Sequence, residues 1–198
     1  GNIIAYSRGE GVLIQPQYET TPFTGVVTIS GNSIFGNGEL GIDLKEDGPT
    51  PNDSGDIDTG ANALMNYPVL TVAVVSGTTL AVEGILETSS PETATVEFFA
   101  NPVPTPGGDA SGYGEGAVFL GAATPDATGK VRATFPAVAV GTLISATATD
   151  AAGHTSEFAR NVAAITGSTE TPANPALAAP LLSSPANGAT GQPVGEDQ

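Results

Sequence analysis

The stretch GNIIAYSRGEGVLI at residues 1–14 aligns without gaps on GNSIFGNGELGIDL at residues 31–44. Residues identical in both copies include the pairs Gly1/Gly31, Asn2/Asn32, Ile4/Ile34 and Gly11/Gly41. An offset of 30 residues fits one coil of a parallel β-solenoid with an inserted loop, here the polar stretch 15–24. We therefore expect residues 1–45 to form parallel β-helix coils, with asparagines stacked at one corner. The alternative is two unrelated β-hairpins that share a G-N-x-I start.

Two coils bury little apolar surface by themselves. Solenoids hide their apolar faces by stacking neighbouring coils, and they generally need three or more repeats. We therefore expect the coil that begins at Gly1 to present an open β edge. Either earlier coils or another chain would cover that edge.

Alternating apolar and polar residues in short runs separated by turn residues occupy positions 66–163. This pattern predicts an immunoglobulin-like β-sandwich. The predicted strands are Val69–Val75, Leu80–Leu86, Thr93–Ala100, Ala117–Ala123, Lys130–Phe135, Leu143–Thr149 and Ser156–Val162. Alternation places on the inner faces Leu70, Val72, Val74, Leu80, Val82, Leu86, Val96, Phe98, Val118, Leu120, Val131, Ala133, Phe135, Ile144, Ala146, Ala148 and Phe158. It turns towards water Thr95, Glu97, Arg132, Thr134, Ser145 and Thr147.

An acidic connecting loop at residues 46–65 separates the two predicted modules. Within and just before it lie the proposed ligands Asp43, Asp47, Asn52, Asp53, Asp56 and Asp58. Ca²⁺ prefers carboxylate, amide and backbone oxygens, and Gly/Pro turns allow one loop to wrap several of them around an ion. The spacing is not that of an EF-hand loop. The loop therefore predicts a Ca²⁺ site, and the alternative is an acidic, solvated turn between domains.

The charge balance excludes several classes of partner. The chain has 5 Lys and Arg against 21 Asp and Glu, a net charge of −16, so we expect no nucleic acid partner. No apolar run is long enough for a membrane span. The chain has no cysteine, its one histidine has no evident partner, and Arg8 and Lys45 are the only cations of the solenoid part. We therefore expect no catalytic residues and no enzyme activity.

Residues 164–198 begin with ITGSTETPANPALAAP, a Pro- and Ala-rich stretch without periodicity. This composition predicts an extended linker. The final segment has a short apolar start and an N-G turn, so it is either a tail that pairs with another chain or the start of a further module.

Five segments resemble, in the same order, a module common in large bacterial secreted proteins. They are GNSIFGNGELGIDL, DGPTPNDSGDIDTGANALMNYPVL, EFFAN, SGYGEGAVFLG and ISATATDAAGHTSEFA. In such proteins a right-handed parallel β-helix of pectate-lyase-like type ends and passes into an immunoglobulin-like domain. The resemblance implies an all-β protein that is secreted or lies at the cell surface, and it implies no particular substrate.

Together these patterns predict a non-catalytic extracellular module that is structural, adhesive or self-assembling, as in a filament or surface layer, and that calcium stabilises. Its partners would be other copies or neighbouring modules, bound through the open β edge and the C-terminal tail. A polysaccharide is a further candidate partner, because the aromatic side chains of Tyr6, Phe23, Phe35, Tyr67 and Tyr113 can stack on sugars, and the alternative is that they serve ordinary β packing. The alternative is the non-catalytic C-terminal end of a β-helix polysaccharide lyase or glycosidase.

Overall fold

The computed structural model describes residues 1–15, 25–101 and 110–167. Most of the predicted insertion at 15–24 and the tail from residue 168 onwards therefore lie outside the described residues. Within them the chain forms four β-sheets and two short 3-10 turns, at Ala61–Leu64 and Pro91–Thr93. The predicted all-β class is confirmed.

The N-terminal repeat forms two small parallel sheets. Its strands are β1 (Ile3–Ala5), β2 (Val12–Leu13), β3 (Ser33–Phe35) and β4 (Ile42–Asp43). Strand β1 pairs with β3 and β2 with β4, so that Ile3 lies opposite Ser33 and Val12 opposite Ile42. The two copies are thus paired at the offset of their sequence alignment, although neither two-stranded sheet forms a solenoid.

Asparagine side chains join the two copies of the repeat. The Oδ1 atom of Asn32 accepts hydrogen bonds from the backbone N–H of Asn2 at 2.8 Å and from its side-chain amide at 3.1 Å. In the same way, Asn37 Oδ1 accepts the backbone N–H of Ser7 at 3.1 Å. The expected stacking of Asn2 on Asn32 is confirmed, and it holds the two copies in register.

The remaining strands form two four-stranded sheets. They are β5 (Val69–Ser76), β6 (Thr79–Ile85), β7 (Thr95–Asn101), β8 (Val118–Ala123), β9 (Lys130–Pro136), β10 (Leu143–Thr149), β11 (Val162–Ala163) and β12 (Ile165–Thr166). The strand orders are β12-β5-β6-β9 in one sheet and β11-β10-β7-β8 in the other. Buried side chains of both sheets form one core, which includes Leu80, Val82, Val96, Phe98 and Ile144.

The predicted strand at residues 156–162 is wrong for all but its last residue. Backbone N–H groups of this segment reach β10 at Ser156 and Ala159, three residues apart, instead of at every second residue. The interruption of the ladder turns the side chains between them away from the core of the two large sheets. The predicted linker also starts too early, because β12 pairs in parallel with β5.

The predicted inner face of β5 changes phase along the strand. A bulge between Leu70 and Val72 shifts the register against β6, so Ala73 is buried and Val75 packs on the core in place of Val72 and Val74. A bulge adds one residue to one strand and inverts the alternation beyond it. On the edge strand β8, Val118 is 48% exposed, also contrary to the alternation.

The face of the β11-β10-β7-β8 sheet that points away from the shared core is covered by the N-terminal repeat. Glu97, Ser145 and Thr147, all predicted to face water, are 7%, 0% and 2% exposed. The N-terminal repeat packs here around a second apolar cluster, in which Phe99 and Phe158 meet edge to face at 5.5 Å between ring centroids. Phe158 therefore belongs to this second cluster and not to the predicted core.

Candidate functional site

Three aspartates converge in the connecting loop. Carboxylate oxygens of Asp53, Asp56 and Asp58 all lie within 4.8 Å of one another. The loop turns sharply between the first two of them, where Gly55 and Asp56 both have positive φ values, 81° and 58°. Glycine and aspartate are among the residues that adopt this conformation most readily, so the local sequence favours the turn.

Asn66 fixes this loop from the start of the sandwich. Its side chain is 2% exposed, accepts the backbone N–H of Asp53 at 3.0 Å, and donates to the carbonyl oxygens of Asp53 and Glu87. Its backbone N–H donates to Asp56 Oδ1 at 2.9 Å. Asn66 was not among the predicted ligands, and it acts as a clamp on the loop that carries them.

Two oxygens of the aspartate triad lack a hydrogen bond. Asp53 Oδ1 and Asp58 Oδ1 are buried as atoms and have no donor among the residues that the structure describes. Asp53 Oδ2, in contrast, accepts the backbone N–H of Ile57 at 3.1 Å. A buried oxygen without a donor is unfavourable unless a cation or water satisfies it.

The electrostatics of the triad oppose full ionisation. Burial raises the pKa of Asp56, and the negative charges of Asp53 and Asp150 act in the same direction against a hydrogen bond from Asn66. Burial also raises the pKa of Asp58, with further contributions from Asp53 and Asp56, while Lys45 opposes them. A divalent cation would reverse this balance, because it favours the charged carboxylates.

The other three predicted ligands lie outside this cluster. Asp43 is 2% exposed, and its carboxylate accepts the backbone N–H groups of Lys45, Glu46 and Gly48 in its own turn. The side chain of Asn52 donates to the carbonyl oxygen of Tyr67 and accepts its N–H. Asp47 is exposed. The structure therefore brings together three of the six residues that the sequence proposed.

A second acidic group lies on the repeat. Glu10, Glu39, Asp43 and Glu46 line a cavity of about 240 Å³. A hydrogen bond that protonated Glu39 donates to Glu10 raises the pKa of Glu39, and the negative charges of Glu10, Asp43 and Glu46 act in the same direction. The equivalent ends of the two repeat copies thus bring like charges together.

Three buried glutamates join the repeat to the sandwich. Glu97 of β7 accepts the Ser30 hydroxyl and, at 2.9 Å, the backbone N–H of Gly31. Glu157 accepts the backbone N–H groups of Leu44 at 3.0 Å and Thr50 at 2.8 Å. Each carboxylate therefore caps backbone donors of a segment far away in sequence.

Glu115 accepts three hydrogen bonds from the second copy of the repeat. It is 2% exposed and accepts the backbone N–H groups of Gly36 and Asn37, each at 2.8 Å, and the Asn37 side-chain amide at 3.0 Å. One residue further on, Gly116 exchanges two backbone hydrogen bonds with Ile34 of β3. Both carboxylate oxygens of Glu115 are therefore occupied by donors from the repeat.

At Glu157, burial and hydrogen bonding act on the ionisation of the carboxyl group in opposite directions. Burial raises the pKa of Glu157, against the hydrogen bonds from Leu44 and Thr50 that favour its charged form. A buried carboxylate that accepts several N–H donors is tolerated, whereas one that loses them is strongly unfavourable. The junction is therefore sensitive to the loss of any one partner.

Sequence reasoning did not identify this junction. One available signal was the composition of the face of β7 and β10 that packs against the repeat, where Glu97 is accompanied by the short uncharged residues Ser145 and Thr147. Asn62 also belongs to this junction, although nothing in the sequence indicated it. It is fully buried, accepts the Val27 backbone N–H, and donates to the carbonyl oxygens of Val27 and Thr155.

No helix among the described residues is both long and apolar enough to cross a membrane. No family model matches the sequence.

Proposed function

We propose that this chain is a non-catalytic, extracellular structural module in which the end of a right-handed parallel β-helix is rigidly joined to an immunoglobulin-like sandwich and stabilised by calcium. The observation that carries the proposal is the junction of Glu97, Glu115 and Glu157, each bonded to backbone N–H groups of the repeat or of the loop that follows it. A junction of this kind suits a module that transmits load or holds a fixed geometry.

The pairing of the repeat supports the β-helix part of the proposal. Parallel strands at a constant offset of 30 residues, with asparagines bonded between equivalent positions, are the contacts that stacked coils make. The two large sheets with a shared core support the sandwich part.

The junction resists hinge motion for an electrostatic reason. Separating the repeat from the sandwich would leave Glu115 and the backbone N–H groups of Gly36 and Asn37 without their partners. Each unsatisfied buried polar group costs about 1–3 kcal/mol, and more for a charged one. Hydrogen bonds to water would offset part of this free-energy cost only where water could reach the separated surfaces.

Calcium is proposed at Asp53, Asp56 and Asp58. Three carboxylates with two unpartnered buried oxygens supply hard ligands, and backbone oxygens or water would complete the roughly six to eight that Ca²⁺ takes. Because the loop is held by Asn66 of the sandwich, bound calcium would stiffen the connection between the modules. A structural or adhesive role would then depend on the rigidity of the connection between the modules and not on a catalysed reaction.

Calorimetric melting of the chain in EDTA and in millimolar Ca²⁺ tests both the rigid junction and the calcium site. We expect one cooperative transition, because the repeat and the sandwich share buried contacts. Calcium at a hundredfold excess over its Kd should add about 2.7 kcal/mol, which corresponds to roughly 5–10 °C for a chain of this size. The double variant Asp56→Asn with Asp58→Asn should abolish the calcium shift.

The matched control is Asp47→Asn, which removes one acid from the same stretch at an exposed position outside the triad. It should retain the full calcium shift. Two separate transitions in wild type would contradict the rigid junction, and equal midpoints with and without calcium would contradict the metal site. Turnover of pectin, alginate or a peptide by the purified chain would contradict the non-catalytic assignment.

A further inference from the structure

A groove on the sandwich is lined by Asn52, the neighbour of Asp53, but by none of the three triad aspartates. Its volume is about 510 Å³, and its lining includes Tyr67, Val69, Tyr113, Arg160, Asn161 and Val162. The backbone builds it by pairing residues 112–114 with 159–161, where Tyr113 and Arg160 form an antiparallel bridge. This pairing sets an aromatic side chain and a cationic one next to each other.

Arg160 gives the groove a positive charge. Its side chain is exposed and forms no ion pair with any residue in the described part of the chain, whereas Arg132 pairs with Glu83 at 3.3 Å. A guanidinium binds a carboxylate through two parallel hydrogen bonds.

Asn161 adds an acceptor without a donor. Its side-chain amide donates to the Gly114 carbonyl oxygen at 3.1 Å, and this bond orients the other end of the amide. The Oδ1 atom is buried and has no hydrogen-bond partner among the described residues. A buried acceptor of this kind suits a hydroxyl donor from a ligand.

Two tyrosines form the aromatic wall. The rings of Tyr67 and Tyr113 meet edge to face, with centroids 5.4 Å apart and planes at 72°. Tyr67 donates its hydroxyl hydrogen to the Tyr113 oxygen at 3.4 Å, and the Tyr113 hydroxyl makes no second bond with the described residues. Its own hydrogen can therefore be donated to a ligand.

We infer that this groove binds an acidic saccharide, that is, a sugar unit that carries a carboxylate. Arg160 would hold the carboxylate, Asn161 Oδ1 would accept a ring hydroxyl, and the tyrosines would contact the apolar face of the sugar. A neutral sugar would leave Arg160 unused. A peptide carboxyl terminus would use Arg160 without needing an aromatic wall beside a hydroxyl acceptor.

This inference goes beyond the proposed structural role and does not depend on it. Asn52, next to Asp53, lines the groove and bonds the Tyr67 backbone, but none of the triad carboxylates faces a ligand there, so we expect binding to persist in EDTA. Loss of the calcium shift and loss of saccharide binding are therefore separate results. The first concerns the module as a structural unit, and the second concerns this groove alone.

The test is an NMR titration of the full chain in EDTA with trigalacturonic acid and with a hyaluronan tetrasaccharide. Maltotriose serves as the neutral saccharide, and a short peptide with a free carboxyl terminus serves as the competing class. We expect at least one uronate probe to shift resonances of Tyr113, Arg160 and Asn161, and to bind at least about tenfold more tightly than maltotriose or the peptide.

Arg160→Gln should weaken that binding at least about tenfold, and Asn161→Ala should weaken it as well. Arg8→Gln removes the same charge from an exposed arginine outside the groove and should leave the affinity unchanged. Unchanged melting temperatures of Arg160→Gln and Tyr113→Phe would show that the fold is intact. The inference is overturned if neither uronate binds, if maltotriose or the peptide binds as tightly, or if Arg160→Gln and Arg8→Gln behave alike.

Discussion

At the scale of single residues, Gly116 shows how close the two modules approach. Its N–H and carbonyl groups both bond Ile34, and a Cβ placed on it would lie 2.8 Å from ring atoms of Phe99 and Phe158. Two aromatic rings edge to face cannot yield this space without moving the apolar cluster. Only glycine therefore allows the backbone of the sandwich to reach the repeat at this point.

We expect Gly116→Ala to destabilise the chain by about 1–3 kcal/mol, the usual range for overpacking a filled core. Gly9→Ala is the control, because a Cβ there would meet no atom within 4 Å. That variant should stay within about 0.5 kcal/mol of wild type. Urea unfolding measures both, and equal midpoints for the two variants would show that the junction is looser than described.

The Asp150 and His154 pair predicts a dependence of stability on pH. Burial by itself raises the pKa of Asp150, but hydrogen bonds from the side chain and backbone of His154 outweigh it, so the net pKa is lowered. The ring Nδ1 lies 2.8 Å from Asp150 Oδ2. A lowered folded pKa means that the contribution is present above the unfolded pKa and is lost as the pH falls through the folded value.

Asp150→Asn should therefore lower the free energy of unfolding at pH 7. The difference in this free energy between the variant and wild type should become smaller as the pH falls below about 4. The asparagine oxygen can still accept the backbone N–H groups of Ala152 and Gly153, which isolates the effect of the charge. Urea unfolding at pH 7, 5 and 3 measures the gap. A gap that stays constant over this range would assign the effect to the turn geometry instead.

At the scale of elements, the junction depends on contacts between segments that are far apart in sequence. Asn37 is fully buried, and its amide links the Ser7 backbone in the first repeat copy to Glu115 before β8. A single side chain thus connects three segments. Removal of either partner leaves buried donors or acceptors unsatisfied.

A double-mutant cycle on Glu115→Ala and Asn37→Ala measures this link. We expect each variant to lose about 3 kcal/mol or more, with a coupling of about 0.5–3 kcal/mol between them. The control cycle combines Asn37→Ala with Glu92→Ala. Glu92 is exposed in the 3-10 turn Pro91–Thr93, so the coupling energy of this cycle should be near zero. Additive losses in the first cycle would mean that the two side chains act independently.

At the scale of the whole molecule, the outer edge of β1 has no strand partner among the described residues. Strand β1 pairs with β3 only; Ile3, its first residue, is 77% exposed, and Tyr6, just after it, is 72% exposed. An open edge with apolar side chains can accept a further strand. The net charge of −16 opposes association, so calcium or salt should favour it.

We predict that the full chain self-associates through this edge and its C-terminal tail. Light scattering at high concentration in calcium should give a mass above that of a monomer. Truncation after Gly167, which preserves β12, should restore the monomer, as should Ile3→Lys. Val140→Lys, at another exposed apolar residue, is the control. A monomeric mass for the full chain would refute this assembly.

Local patterns in the sequence determined the strands and the register of the repeat. Alternation over six residues or more predicted the long strands, and those at Val69, Lys130 and Leu143 begin where the pattern places them. Matching residues such as Asn2 and Asn32 pair because the same side chains recur at the same corner. The acidic loop was likewise visible as composition.

Tertiary structure alone decided which faces are covered and which side chains meet. Alternation shows that a strand has two faces, but it does not show what packs on each, so Glu97 and Thr147 were assigned to water. The bulge in β5 inverts a phase that the residues themselves do not reveal. Glu115 reaches Asn37 across 78 positions, and Tyr67 reaches Tyr113 across 46, because the sheets bring them together. Contacts between such distant positions depend on the packing of whole elements, which no local pattern encodes.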